Sequence, residues 1–237
     1  SIKPLHSLAS YLMDGVGKPD LIVEGYGSPH GFSMKPSHAK ILQNADLIFW
    51  VGEDLEIFLE KPLSSIAKKA EKIELMEIKG LNVLKFRERN IFDKHDHDDH
   101  DDHGKKEDDH DDHEHDDHDK KEEHADHDDH DGHEGHAHGE YDPHIWLDPM
   151  NAKVILNEMV EHLIENDAKN ASKYKSNLKN AFKDIDKLTA DVKADLSKST
   201  ASIVFHDAYQ YFEERFDINI LGAFTVNTDV MPGAEQL

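Results

Sequence analysis

Histidine dominates the chemistry this sequence could perform. Of its 20 His, 14 fall within residues 93–140, interleaved with 23 acids and only 5 Lys in repeating units such as DHDDHDDH. Neutral imidazole is a ligand for zinc, copper, nickel and cobalt, and the intervening carboxylates add charge and weaker oxygen donors. Such an array offers many overlapping weak sites. With almost no apolar residues to bury, the segment is expected to be a disordered His/Asp-rich loop that captures metal. On a flexible tether of this length it would reach roughly 35–40 Å. A solvated acidic linker is the bland alternative, but Asp, Glu and Lys alone would serve that purpose. The spacing over 126–137 does not put glycine at the sixth position, as a calcium-binding EF-hand loop requires.

Three histidines outside the segment stand in a different setting. His30 lies in GSPHGFSMKPS, a loop also holding Gly27 and Pro29; His144 lies in YDPHIWLDP; His206 ends the apolar run SIVFH. Taken singly, each would more often be a structural residue in a turn or at a strand end. Together they supply three ring nitrogens, a standard zinc set with a fourth position left for water or carboxylate. His6, His38 and His162 sit on helix-like stretches with polar neighbours and read as surface residues.

The elements that must position these residues follow from the apolar spacing. An opening helix carries Leu5, Leu8, Ala9, Leu12 and Met13. Residues 19–26 read as a strand leading into a glycine loop, 46–52 as a strand buried on both faces, and 72–78 as a third strand. Helices fall between them: one opened by Pro36 and Ser37, and one through Leu55 to Ile66 that Pro62 should bend or split. Strand alternating with helix is the rhythm of a parallel α/β lobe. Asp148 and Pro149 then make a cap and first-turn pair for a helix with Ile155, Leu156, Met159, Val160, Leu163 and Ile164 inward. A helix of roughly 30 residues follows, its stripe running Tyr174, Leu178, Phe182, Ile185, Leu188, Val192, Leu196, long enough to brace two lobes. Residues 202–206 and 218–224 resume the strand pattern around a short helix.

Composition limits the partners. The formal charge is −24, of which −18 belongs to residues 93–140, so the remainder is ordinary globular material. No basic patch suits nucleic acid, and none suits direct lipid binding. The absence of cysteine excludes thiolate zinc sites and cysteine catalysis, and fits an oxidising compartment. No apolar run is long enough to span a bilayer and no signal peptide is recognisable. The chain reads as trimmed at both ends, with any leader already removed.

At this point the residues carry a resemblance. GSPHGFSMKPS followed by QNADLIFWVG, DPHIWLDP, FHDAYQYFEERF and GAFTVNTDVMPGAEQL resembles, in order, the zinc-specific solute-binding proteins of bacterial ABC importers, within a cluster of receptors for zinc and manganese. The opening SIKPLHSLASYL resembles that family's first helix. The resemblance implies an α/β fold of two parallel-sheet lobes joined by one long rigid helix, with the metal in the interlobe cleft. On this chain the parts would be 1–165, an N-terminal lobe carrying the loop 93–140; 166–199, the linking helix; and 200–237, the start of a C-terminal lobe. The family's metal histidines fall on His30, His144 and His206, and its members tend to carry an acidic His-rich loop where 93–140 lies. Members selective for manganese tend to place a carboxylate at the position of His206. Some zinc members have an acid where this chain has Pro29, and some have a further histidine where it has Ala223, so a fourth ligand from the first loop and an auxiliary site at 223 are not expected.

The implied function is a high-affinity periplasmic receptor that delivers Zn2+ to the membrane permease of an ABC importer, with no catalytic residues and no cofactor beyond the transported ion. A zinc hydrolase would need a general base beside a metal-bound water, and H-E-x-x-H is absent. A metal storage or buffering protein, or a metallochaperone, is the other reading, since the histidine-rich segment alone would serve it.

Overall fold

The opening helix α1, Lys3–Leu12, starts with Pro4 in its first turn and buries Leu5, Ala9 and Leu12. Residues 1–87, 139–196 and 201–225 are described by a computed structural model of the chain; of the expected loop 93–140, all but Gly139 and Glu140 therefore lies outside the described residues. The described residues all belong to one unit.

The segment 19–26 does not form the expected strand. The Ile22 and Val23 N–H groups both donate to the Ser1 carbonyl, at 3.2 and 3.1 Å, and Glu24 N–H already turns back to Ile22 O at 3.1 Å. Gly25 follows in the left-handed region at φ +68°, so the chain bends before a ladder can extend. Ile22 and Val23 are buried all the same. The apolar pair reflects burial rather than sheet pairing.

Helix α2, Pro36–Asn44, leads into β1, Leu47–Trp50, which turns Ile48 and Trp50 inward. Helix α3, Glu53–Ser65, continues through Pro62 without splitting, and its departure from helical geometry falls at Glu56, with φ −125° and ψ 48°. Glu56 is fully buried and accepts the Val51 N–H at 2.6 Å. Burial pushes this carboxyl group up, and the Val51 bond satisfies one of its two oxygens at the point where the helix is kinked. Strand β2, Glu71–Glu74, pairs parallel to β1 with Leu47 opposite Glu71 and Trp50 opposite Glu74. The expected strand stops there: Leu75–Glu77 is a 3-10 turn that sends Leu75 into the core.

Asp148 caps α4, Pro149–Asn166, by accepting the Met150 N–H at 2.8 Å, as the sequence indicates. Helix α5, Ala171–Leu196, has 26 residues, about 39 Å of axis. Its stripe is buried only in the first half. Tyr174 and Ala181 are inside, whereas Leu188 is 58 % exposed. Asn177 fixes the helix against α1 by donating to Leu12 O at 2.7 Å and Asp14 O at 2.9 Å. Strand β3, Ser202–His206, helix α6, Gln210–Phe216, and strand β4, Ile220–Thr225, complete the described chain. Strands β3 and β4 are parallel, Val204 opposite Ala223 and His206 opposite Thr225. Two parallel strand pairs and one long helix agree with the expected α/β class.

Two apolar clusters hold these elements. One joins α1, α4 and the start of α5 through Leu5, Leu12, Ile155, Leu156, Met159 and Tyr174; the other packs α2 and α3 on β1 through Leu42, Ile48, Trp50, Leu59 and Leu63. Each such fully buried side chain contributes about 1.5–3 kcal/mol of transfer free energy. Among the described residues no helix is long and apolar enough to cross a membrane.

Candidate metal centre

Residues 84–86 and 140–142 form a short antiparallel stem: Phe86 N–H donates to Glu140 O at 3.0 Å and Asp142 N–H to Leu84 O at 2.9 Å. Tyr211 of α6 locks the same place, its hydroxyl donating to Asp142 O at 2.6 Å and accepting the Leu84 N–H at 3.1 Å. Asp142 thus has a fixed backbone, and its buried carboxylate is aimed at His144. One oxygen, Oδ1, accepts the His144 main-chain N–H at 2.9 Å and lies 2.7 Å from the ring Nδ1. A carboxylate there holds the proton on Nδ1, which leaves Nε2 as a lone pair facing outward.

That lone pair meets His206. The two Nε2 atoms are 3.3 Å apart, and His30 completes the group, its ring centroid 5.6 Å from that of His144 and 5.3 Å from that of His206. One nitrogen from each of the three rings lies within 4.8 Å of the others. Tetrahedral zinc with bonds of about 2.0–2.1 Å places its nitrogen ligands about 3.3–3.4 Å apart, so the His144 and His206 separation matches a shared tetrahedral ion. His144 is buried; His30 and His206 are half-buried and open to an arriving ion. Among the described residues no carboxylate joins the three rings, leaving a fourth position for water or for a group from elsewhere.

Burial keeps the His206 ring free of an extra proton. Burial pushes the His206 imidazole down to about 4; the neighbouring His144 adds to the shift, and Asp142 and the Thr225 main chain oppose it. Asp207, next in sequence and buried, is pushed up chiefly by burial, with Arg87 opposing at 3.7 Å. Arg87 also pairs with Glu213 at 2.6 Å. The surroundings are rich in carboxylates and suit a cation.

All three histidines expected to act together are therefore adjacent, though His30 follows an unpaired bend rather than a strand. The reading of the other three as surface residues needs correction. His38 is buried, its Nδ1 accepting the Lys35 N–H at 3.1 Å at the start of α2, with its ring 5.4 Å from that of Phe32. His6 is half-buried against Pro19 O at 3.0 Å, and His162 is half-buried between carboxylates. Polar neighbours in sequence concealed these tertiary partners. Asp142 was not singled out from the sequence; its only signal there is a carboxylate two residues before a candidate ligand.

Residues 1–237 match the family described as ZnuA, zinc-uptake complex component A, periplasmic. The high-affinity zinc uptake system protein ZnuA of Brucella abortus (strain 2308) is 48 % identical over 239 residues, covering 100 % of this chain and 70 % of that protein. Its counterpart from Yersinia pestis is 32 % identical over 239 residues, covering 100 % and 68 %. Among solved structures, a crystal structure of ZnuA is similar with a TM-score of 0.70 at 18 % identity, covering 100 % of this chain and 72 % of that one. A Mn-bound periplasmic metal binding protein from candidatus liberibacter asiaticus gives 0.68 at 18 %, covering 98 % and 70 %. At such identities the solved structures speak to the fold.

Proposed function

Because the chain belongs to the family of periplasmic A components of zinc-uptake complexes, we propose that it is a high-affinity zinc receptor that takes Zn2+ on His30, His144 and His206 and delivers it to the membrane permease of an ABC importer. The observation that carries this reading is the 3.3 Å approach of two Nε2 atoms, one of them oriented by Asp142. Zinc is the cargo, and the chain supplies binding rather than chemistry. Neutral His206 and a fixed His144 present two lone pairs already spaced for the ion, so little reorganisation accompanies capture. His30, on its loop, closes the set. Three imidazoles favour zinc over manganese, which prefers oxygen. On this reading 1–165 and 200–237 are lobes on either side of the ion, 166–199 links them, and the periplasm is where the exchange occurs.

A competition titration against a zinc chelator of known affinity tests the assignment, using protein from which 93–138 has been removed so that its histidines cannot mask a loss. Replacing His144 by Ala should weaken binding at least tenfold, about 1.4 kcal/mol. Unchanged affinity would reject the site. A storage protein would instead lose nearly all its zinc on removal of the segment alone.

A further inference from the structure

Arg87 follows the antiparallel stem at 84–86, and its side chain reaches the end of β3 and the start of α6. The backbone it springs from is held on both sides: Phe86 N–H donates to Glu140 O at 3.0 Å, and Gln210 of α6 donates to Lys85 O at 3.0 Å. From there Nη2 donates to Glu213 Oε1 at 2.6 Å, while Nη1 stands 3.7 Å from Oδ1 of Asp207. These contacts are unequal. The first is a charge-assisted hydrogen bond, and the second is too long to be one. Asp207 is only 4 % exposed, yet its Oδ1 makes no hydrogen bond. Asp148 is treated differently, since Arg215 gives it two bonds at 2.7 and 2.6 Å.

A buried carboxylate oxygen without a donor costs stability and calls for an explanation. Asp207 directly follows His206, one of the three rings gathered at the metal centre, and lies within the electrostatic reach of Asp142 and His144 as well as of Arg87. Beside these rings, the carboxylates of Asp142, Asp207 and Glu213 face the single guanidinium of Arg87, so acids exceed bases by 3 − 1 = 2, the charge of a divalent ion. Such an ion answers the field of Asp207, which no hydrogen bond answers. Arg87 stays protonated at every working pH, and its charge repels the same ion through partly buried surroundings where screening is weak.

We propose that Arg87 and Asp207 set the zinc affinity of the three-histidine site by opposed fixed charges, Asp207 drawing the ion in and Arg87, held back from Asp207 by Glu213, keeping the hold weak enough for release. Neither is a ligand in this arrangement; both act through the field at the site. A receptor that hands on its cargo needs such a limit, because three imidazoles in a carboxylate-rich setting would otherwise hold zinc for long times. The inference rests on the three-histidine reading. It also carries a sign that a purely structural role does not: an Arg87 that only braces the stem against α6 would loosen the site when lost, whereas a repelling charge tightens it.

The test uses the full-length chain given less than one equivalent of zinc, so that its tightest site fills first, in competition with a chelator. Arg87→Gln and Arg87→Met remove the charge, and both should hold zinc at least roughly threefold more tightly, with dissociation into excess chelator slowed by a similar factor. Arg87→Lys keeps the charge and should stay within about twofold of the unaltered chain, while Asp207→Asn should bind at least roughly threefold more weakly. Equal or weaker binding in the two neutral Arg87 variants would overturn the proposal, as would tightening in Arg87→Lys to the same extent. His144→Ala, titrated alongside, separates the two readings. Unchanged affinity there rejects the three-histidine site itself, whereas a loss there with no gain in the neutral variants rejects the role of Arg87 alone.

Discussion

Asp142 has one oxygen accepting from both the main chain and the ring of His144. Asp142→Asn preserves shape but presents either a weaker acceptor or a donor to Nδ1. Zinc affinity is expected to fall roughly 10- to 100-fold, the usual cost of removing such a supporting carboxylate, in a chelator competition where the fold stays intact by circular dichroism. An affinity equal to the unaltered chain's would show that His144 needs no such partner. The three histidines were legible because imidazole is scarce outside 93–140 and each stands in a loop or at a strand end. Asp142 was not, since its role depends on a stem between residues 58 positions apart and on a hydroxyl from α6. His206 has a pH consequence. Its folded value near 4 lies below the ordinary imidazole value of about 6.5. The metal-free folded chain therefore stays unprotonated there while the unfolded chain takes up a proton. Stability from this group is present above about 6.5 and is lost as pH falls from there towards 4.

Between elements, Asp148 ties α4 to α6. It caps α4 through Met150 and receives a two-bond fork from Arg215 of α6, Nε to Oδ1 at 2.7 Å and Nη2 to Oδ2 at 2.6 Å. Asp148→Ala removes the cap and strands a partly exposed guanidinium, so a loss of about 2–4 kcal/mol is expected. For a chain of this size that corresponds to a fall in Tm of roughly 5–15 °C by calorimetry. A change below about 2 °C would place the α4–α6 tie elsewhere. The cap itself was plain in the sequence, because Asp followed by Pro and an apolar face is a local signal. The Arg215 fork was not, since it joins residues 67 apart. Likewise Ile22 and Val23 resembled a strand because burial and strand pairing select the same apolar types, and Pro62 drew attention that belonged to Glu56, whose carboxylate needed Val51. Helices α4 and α5 and the two parallel pairs were recovered from periodicity alone, with the inward stripe of α5 ending earlier than its spacing suggests.

At the scale of the whole molecule, most of the −24 charge sits in 93–140, apart from the fixed histidines of the core. Two classes of metal are expected to respond differently to acid. Dense carboxylates favour imidazolium in the segment, whereas His206 resists protonation until near 4. Lowering the pH from about 7.5 to 5.5 should release the segment's ions before the core's, as read by dialysis and elemental analysis of the full-length chain and of one without 93–138. Simultaneous release would contradict a distinct core. The antiparallel stem at 84–86 and 140–142 has a bearing on engineering. It holds the two flanks of the histidine-rich stretch a single strand spacing apart, about 5 Å, with the Asp142 to Leu84 bond as its inner rung. A foreign domain whose own termini lie close together could occupy 93–137 in place of the native residues without moving that rung. Since Asp142 is also the residue that orients His144, a fluorescent insert would be coupled through one carboxylate to the occupancy of the site, making the stem the natural graft point for a genetically encoded zinc reporter.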